Sequence, residues 1–247
     1  MYIFDRLDLS LCYRWAMARS NRPPTVLFKP TFDQIPAITE PKAREPFLKR
    51  PLDVILSAFM LILSMPVSLP IALAIKMEDG GPVFYRQERW GRGGARFRAY
   101  KFRTMIASSD QEFGLKQATE NDPRITRIGR VLRAMGLDEL PQLLNILWGE
   151  MSFVGPRSLA IGEIVKDETG RVVKYEDIPG FWERLRVRPG LTGLATIYIP
   201  KDAVPHRKFR YDLLYIRKQS FWLDVRLIAL SSWIAFWLKW EIRGRNS

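Results

Sequence analysis

Two adjacent carboxylates, Asp138 and Glu139, stand among cations: Arg133 lies five residues before the pair and Gly155-Pro156-Arg157 about twenty after it. A carboxylate in such a basic setting is expected to have a depressed pKa and to stay ionised. Ionised, it is equipped to attack phosphorus or to bind a divalent cation. The bland alternative for the same pair is Asp as N-cap and Glu in the first turn of a helix, both favoured by the helix macrodipole. Other chemistries are poorly supplied. One Cys (Cys12) excludes an internal disulfide and a zinc site built on several thiolates, and one His (His206) excludes a His-rich metal site. A Ser-His-Asp triad would rest on that single His. Acid, base and nucleophile roles therefore fall mainly to carboxylates, Lys and Tyr.

The elements that must position this pair are legible as a series. Gly136-Leu137-Asp138-Glu139-Leu140-Pro141 opens a predicted helix over residues 139–148, closed by Gly149. Before it, residues 125–134 read as a helix with Arg127, Arg130 and Arg133 on one face. Earlier still, a β-prone run at 83–86, a turn through residues 91–94 and a second run at 96–103 predict a hairpin with one basic face, including Lys101 and Arg103.

Residues 54–75 carry no charge over 22 positions, long enough for a membrane span. Pro66 and Pro70 fall inside that run and predict a break or a sharp kink. The parts on either side of Pro66, about 21 Å and 15 Å long as helices, are each too short to cross a core of about 30 Å. Both flanks are basic, with Lys42, Arg44, Lys49 and Arg50 before and Lys76, Arg86 and Arg89 after, so both ends are expected on the cytoplasmic side. A helix that enters, bends at Pro66 and returns satisfies both demands. The Ser64 or Ser68 hydroxyl is a candidate to satisfy the freed backbone, and Asp53 is a candidate partner for Arg50 or a later cation.

The first 48 residues read as an extension and linker, with Pro23, Pro24, Pro30, Pro36, Pro41 and Pro46 interrupting any helix, and no cleaved signal peptide is expected. Near the other end, residues 221–240 are apolar and rich in Trp, and read as an interfacial helix with Trp at headgroup level. The whole is expected to be α+β and mostly helical: an extension (1–48), a membrane segment (49–78) and a catalytic domain (79–240). The net charge of +13, from 39 Lys and Arg against 26 Asp and Glu, points to a polyanionic partner.

YKFRTM (100–105), NDPRITRIGRVLR (121–133), LDELPQLLNILWGEMSFVGPR (137–157) and VRPGLTG (187–193) occur in the order found in the bacterial sugar transferases, the monotopic phosphoglycosyl transferases, which this chain resembles from about residue 49 to 240. The resemblance implies a re-entrant membrane helix anchoring a small catalytic domain on the cytoplasmic face of the bacterial inner membrane. It implies that Asp138 attacks the β-phosphate of a UDP-sugar, that UMP leaves, and that undecaprenyl phosphate then takes the phosphosugar. Glu139, with Asp138, is implied as the ligand of Mg2+ or Mn2+, or Glu139 as the base for the second step. Lys101, Arg103, Arg133, Pro156, Arg157 and Arg188 are implied around the substrate phosphates, and Pro66 and Ser64 at the membrane break. Many members read G-[WL]-A-Q-V-N-G after the VRPGLTG motif, whereas here Gly193 is followed by Leu194-Ala195-Thr196-Ile197-Tyr198, which points to a less common sugar or a different hold on it. Membrane lipids are further expected partners, and a homodimer is left open.

Two other classes fit parts of the sequence. A nucleic-acid binder would use the charge and the interleaved Arg-Phe-Arg at 96–98, but makes no use of the apolar segment or of Asp138-Glu139. A non-catalytic scaffold in glycan assembly would not need the intact Asp-Glu pair and Arg157. Salt extraction from membranes discriminates the first, and UMP release the second.

Overall fold

The computed structural model describes residues 45–106, 122–166, 170–200 and 203–244, with side chains as far as residue 235. Most of the expected linker lies outside the described residues. The residues Glu40–Ala229 form one compact unit, and the end of the last helix, from Leu230, belongs to a second.

Helix α1 spans Lys49–Asp79 and ends at Gly80. A hairpin follows, β1 (Phe84–Trp90) and β2 (Arg96–Phe102), antiparallel with Tyr85 opposite Lys101 and Arg89 opposite Phe97. Helix α2 (Arg127–Met135) is capped by Thr126, whose hydroxyl accepts the Gly129 N–H at 2.9 Å. Helix α3 (Gln142–Trp148) ends at Gly149. Then come β3 (Ser152–Val154), the antiparallel pair β4 (Ile164–Lys166) and β5 (Val172–Lys174), the short helix α4 (Phe181–Arg184), and β6 (Gly190–Thr192), which is parallel to β3. Three helices close the described chain: α5 (Leu194–Tyr198), α6 (Pro205–Lys218) and α7 (Phe221–Gly244). The mostly helical, mixed composition agrees with the sequence reading, and so do the hairpin and the helices around it.

The core is built in patches between these elements. Phe97 and Ala99 of β2 pack with Leu143 and Ile146 of α3 and with Met151, while Phe102 packs with Ile75 of α1 and Leu132 of α2. By alternation Phe97 and Ala99 point to one face of the hairpin, against α3, and Phe102 points to the other, against the end of α1 and against α2.

Helix α1 is continuous over its length. The helix runs through Pro66 and Pro70, and the division into two separate helices at Pro66 is not seen. Each proline removes one N–H from the ladder, which bends a helix without necessarily ending it. The Ser64 hydroxyl donates to the Leu61 carbonyl at 3.0 Å, one residue short of the Ile62 carbonyl that Pro66 leaves unpaired. At 31 residues the helix is about 46 Å long, and it is the one described helix long and apolar enough to cross a membrane. Its middle exposes Ile55, Phe59, Ile62, Leu63, Met65, Leu69 and Leu73.

Both ends of α1 dock on the same compact unit. Lys49 is buried, and its ammonium donates to the Val154 carbonyl (2.8 Å), to Tyr215 Oη (3.0 Å) and to Asp224 Oδ2 (2.8 Å), while Tyr215 Oη donates to Asp224 Oδ1 at 2.7 Å. Arg50 donates to the carbonyls of Ile146 and Leu147 at the C-terminus of α3, at 2.6 and 2.7 Å. Asp53 accepts from Ser152 Oγ and the Phe153 N–H, both at 3.0 Å, and not from a cation as the sequence suggested. At the other end, Glu78 accepts the N–H groups of Arg127 and Ile128 at the start of α2, and Asp79 pairs with Arg103. Several of the basic and acidic flanking residues thus serve docking.

The Lys49–Asp224 pair sets a first expected result. Removing one partner of a buried, hydrogen-bonded pair leaves the other charge uncompensated and costs about 3–5 kcal/mol. Lys49→Met should lower the unfolding temperature of the detergent-solubilised protein by on the order of 10 °C, and adding Asp224→Leu should restore part of that loss. An unchanged melting curve for the single variant would mean that the network holds nothing together.

Candidate functional site

The site grows from a change of backbone hand. Gly136 sits at φ 63°, in the left-handed region that favours glycine, and closes α2 by donating its N–H to Arg133 and Leu132. The chain then reverses through a 3₁₀ turn, Leu137–Glu139, before α3 begins. Asp138 and Glu139 lie in this turn. The helix predicted from residue 139 starts only at Gln142, behind Pro141, and Asp138 caps nothing in it. Asp138 is therefore not an N-cap, although both carboxylates lie in the first turn of the 3₁₀ segment.

Lys101 reaches this turn from β2. Its ammonium lies 2.7 Å from Glu139 Oε1 and 3.8 Å from Asp138 Oδ2, with the Lys101, Asp138 and Glu139 side chains 18, 15 and 33% exposed. The register of the hairpin puts Tyr85, Gln87 and Arg89 on the same face as Lys101. Arg89 is fixed there by Ser158, whose carbonyl and Oγ accept from Nη1 at 2.7 and 3.1 Å, and by Gln87 Oε1, which accepts from Nη2 at 2.8 Å. Burial, then the neighbouring Arg157, lowers the Arg89 pKa, against the pull of Glu139.

The third wall is the segment joining β3 to β4. It runs beside β1, with Ala160 bridged to Arg89. Gly155 and Gly190 approach so closely that a Cβ on Gly190 would stand 2.1 Å from the Gly155 nitrogen. This contact, together with the Gly190 N–H donating to the Pro156 carbonyl at 2.9 Å, pins the segment that carries Arg157. The Arg157 side chain is exposed and makes no hydrogen bond or ion pair with the described residues.

The two carboxyls experience this setting differently. Burial pushes the Asp138 pKa above the usual carboxylate value; Lys101 and Arg133 oppose the shift and Glu139 adds to it. This corrects the expectation of a depressed pKa, which neglected desolvation. Burial also acts on Glu139, but Lys101, Arg157 and Arg89 outweigh it and hold its pKa at about 2. One carboxyl is thus the more basic and nucleophilic, and the other stays firmly ionised.

The other residues singled out from sequence divide. Arg133 faces Asp138 electrostatically and donates from Nε to Thr104 Oγ1 at 2.8 Å. Arg188 is engaged elsewhere: Glu45 accepts from its guanidinium at 2.7 Å and from its N–H at 3.1 Å. Arg103 is buried and paired with Asp79. Pro156 is buried and acts through its carbonyl. Arg89 and Gln87 were not singled out; the period-2 alternation of Tyr85, Gln87 and Arg89, set against Lys101 across the predicted hairpin, was the available signal.

The carboxylates can be tested for a divalent cation. Among the described residues no group of three or more His, Cys, Asp or Glu gathers to hold a metal. Mg2+ is commonly held by one or two carboxylates with substrate phosphates completing its shell, so Asp138 and Glu139 fit such an ion once a diphosphate is present.

Residues 44–237 match the family described as Bacterial sugar transferase. The chain is 41% identical over 193 residues to UDP-glucose:undecaprenyl-phosphate glucose-1-phosphate transferase of Klebsiella pneumoniae, covering 76% of this chain and 40% of that protein. It is 40% identical over 186 residues to Exopolysaccharide production protein PSS of Rhizobium leguminosarum bv. phaseoli, covering 73% and 91%. It is 35% identical over 253 aligned positions to Undecaprenyl-phosphate glucose phosphotransferase of Komagataeibacter xylinus, covering 100% and 44%. The chain thus spans about two fifths of the first and third relatives and most of the second. With the match running from the start of α1 into α7 and enclosing the carboxylate turn, the chain belongs to the bacterial sugar transferase family.

Proposed function

We propose that this protein transfers a sugar-1-phosphate from a UDP-sugar to undecaprenyl phosphate at the cytoplasmic face of the bacterial inner membrane, through a phosphosugar held on Asp138, in exopolysaccharide, capsule or glycan assembly. The observation that carries the reading is the Asp138–Glu139 turn bound by Lys101, with the uncommitted Arg157 beside it.

In the first step Asp138 Oδ forms a bond to the β-phosphorus while the bond from that phosphorus to the bridging oxygen breaks and UMP leaves. In the second, an oxygen of undecaprenyl phosphate attacks the same phosphorus, the aspartyl bond breaks, and a polyprenyl-diphosphate-sugar forms. Catalysis of this kind rests on positioning and charge neutralisation. Lys101 and Arg133 stand beside Asp138, and Arg157 offers a free guanidinium to a phosphate or to the uracil edge. The raised Asp138 pKa makes its carboxylate a better nucleophile than a surface Asp.

Glu139 suits the role of charge partner or metal ligand better than that of base, since a carboxylate held at about 2 accepts a proton poorly near neutrality. Mg2+ or Mn2+, when bound, would neutralise charge on the diphosphate. EDTA should therefore abolish turnover and added Mg2+ restore it; full activity in chelator would remove the metal from the mechanism.

The docking of both ends of α1 on one unit, with an exposed apolar middle, supports a helix that enters and leaves on the same face. Cysteines placed at residues 50 and 76 in a Cys12-free chain should show the same accessibility to an impermeant thiol reagent; labelling of one alone would show a span. The functional reading is tested by UMP release from UDP-glucose, and from a panel of other UDP-sugars, with undecaprenyl phosphate present. Release from none of them would favour the scaffold reading.

A further inference from the structure

Within the site just described, the strand that carries Lys101 has an edge that no strand among the described residues covers. Among the described residues β2 pairs only with β1. In an antiparallel pair, successive residues turn their backbone groups alternately toward and away from the partner. At residues 98 and 100 those groups meet the side chain of Asn145. The Tyr100 N–H donates to Asn145 Oδ1 at 3.0 Å, and Asn145 Nδ2 donates to the Arg98 carbonyl at 2.8 Å and to Glu150 Oε2 at 2.6 Å. Asn145 is fully buried, and its own carbonyl accepts the N–H groups of Gly149, Glu150 and Met151 at the end of α3.

This one side chain therefore ties two pieces of the site. Residue 100 is the immediate neighbour of Lys101, and α3 begins three residues after Glu139. An amide is suited to the place because it offers an acceptor and donors at once, in the spacing that a neighbouring strand would present. A carboxylate would lose the donors, and an apolar side chain would leave three partly buried polar groups without this partner.

We propose that Asn145 is a positioning residue that sets the register of β2 against the carboxylate turn, and so holds the Lys101 ammonium on Glu139 and Asp138. Substrate contact plays no part in the role. The kinetic consequence rests on the transferase reading above; the geometric consequence does not.

The experiment has two arms. The first is independent of activity: the rate of Lys101 acylation by a water-soluble amine reagent, followed by peptide mass spectrometry on the folded full-length protein. Asn145→Ser should speed Lys101 labelling several-fold while Lys166 and Lys174, on the β4–β5 hairpin outside the Asn145 hydrogen-bond network, label as before. Glu150→Gln, which weakens a single contact, should give a smaller increase. Asn145→Asp combined with Glu150→Gln rebuilds an acceptor for Tyr100 and a donor for residue 145, and should return labelling toward the wild-type rate. The second arm is turnover: Asn145→Ser should lower kcat about tenfold or more with little change in the KM for the UDP-sugar, and the double variant should recover part of it.

Unchanged Lys101 labelling in both Asn145→Ser and Glu150→Gln would overturn the proposal, as would acceleration of all lysines alike, which marks general loosening. Absence of turnover in the wild type would count against the transferase reading and leave the labelling result as the judge of Asn145.

Discussion

Asp138→Asn is expected to abolish turnover, by roughly 10⁴-fold or more, in a protein that folds and binds membranes as before. The substitution exchanges one oxygen for an amide nitrogen of nearly the same size. It removes no helix cap, because Asp138 lies in the 3₁₀ turn before α3 and caps nothing. It also removes a charge whose pKa burial has already raised, so ionised Asp138 weakens the folded state near neutrality. Stability should therefore stay level or rise slightly. A structural role predicts the reverse pattern, a lower melting temperature with activity largely kept. Unfolding temperature and UMP release, measured on the same preparation, separate the two.

Lys101→Met is expected to lower kcat/KM by about 10²–10³-fold, the scale of losing one preorganised charge at a reacting centre. The ammonium is 2.7 Å from Glu139 and 3.8 Å from Asp138. Without it two neighbouring carboxylates face one another with less compensation, and the pKa of each rises. The sign of the pH effect follows. Attack needs ionised Asp138, so activity falls as pH drops through its folded pKa, which burial already places above the ordinary value. In Lys101→Met that acid limb should move to still higher pH. Lys101→Arg keeps the charge in a different shape and should recover only part of the rate. An acid limb at the wild-type position in Lys101→Met would show that this cation does not set the electrostatics of the nucleophile. The same substitution should change stability in a direction set by Glu139. Its pKa of about 2 lies below the unfolded value, so it stabilises the fold at pH well above 4, and that contribution fades as pH falls toward 2.

Local signals carried the sequence reading far. The hairpin followed from β-prone runs around a glycine-rich turn, α2 from the three-residue spacing of its arginines, and α3 from its opening residues 136–141 and its closing Gly149. The Asp138–Glu139 pair stood out because two adjacent carboxylates lie among cations, with Arg133 before them and Arg157 after. What remained hidden depends on distance along the chain. Arg188 and Arg103 read as free cations, but Glu45 and Asp79 engage them through folding that no spacing reveals. Lys49 read as part of a basic flank on the cytoplasmic side, yet its partner Asp224 lies 175 residues away. The direction of the Asp138 pKa shift was missed because neighbouring charges are visible in sequence and burial is not. Helix α1 passes through Pro66 because the loss of one hydrogen bond is a local cost, offset by a long apolar helix pinned at both ends. Asn145 stood inside the motif that carried the resemblance, but the unpaired edge it covers exists only once β2 is folded against α3.

The central claim is a covalent phosphosugar on Asp138, and intact-protein mass spectrometry tests it most directly. The purified protein is incubated with UDP-glucose, or with whichever UDP-sugar supports UMP release, and Mg2+, in the absence of undecaprenyl phosphate. The wild type should gain the mass of one sugar phosphate, mapped by peptide analysis to Asp138, and should lose it when the lipid acceptor is added. Asp138→Asn should gain nothing. Release of UMP only when acceptor is present, with no adduct at any time, would point to direct transfer, and an adduct that persists in Asp138→Asn would place the nucleophile on another residue.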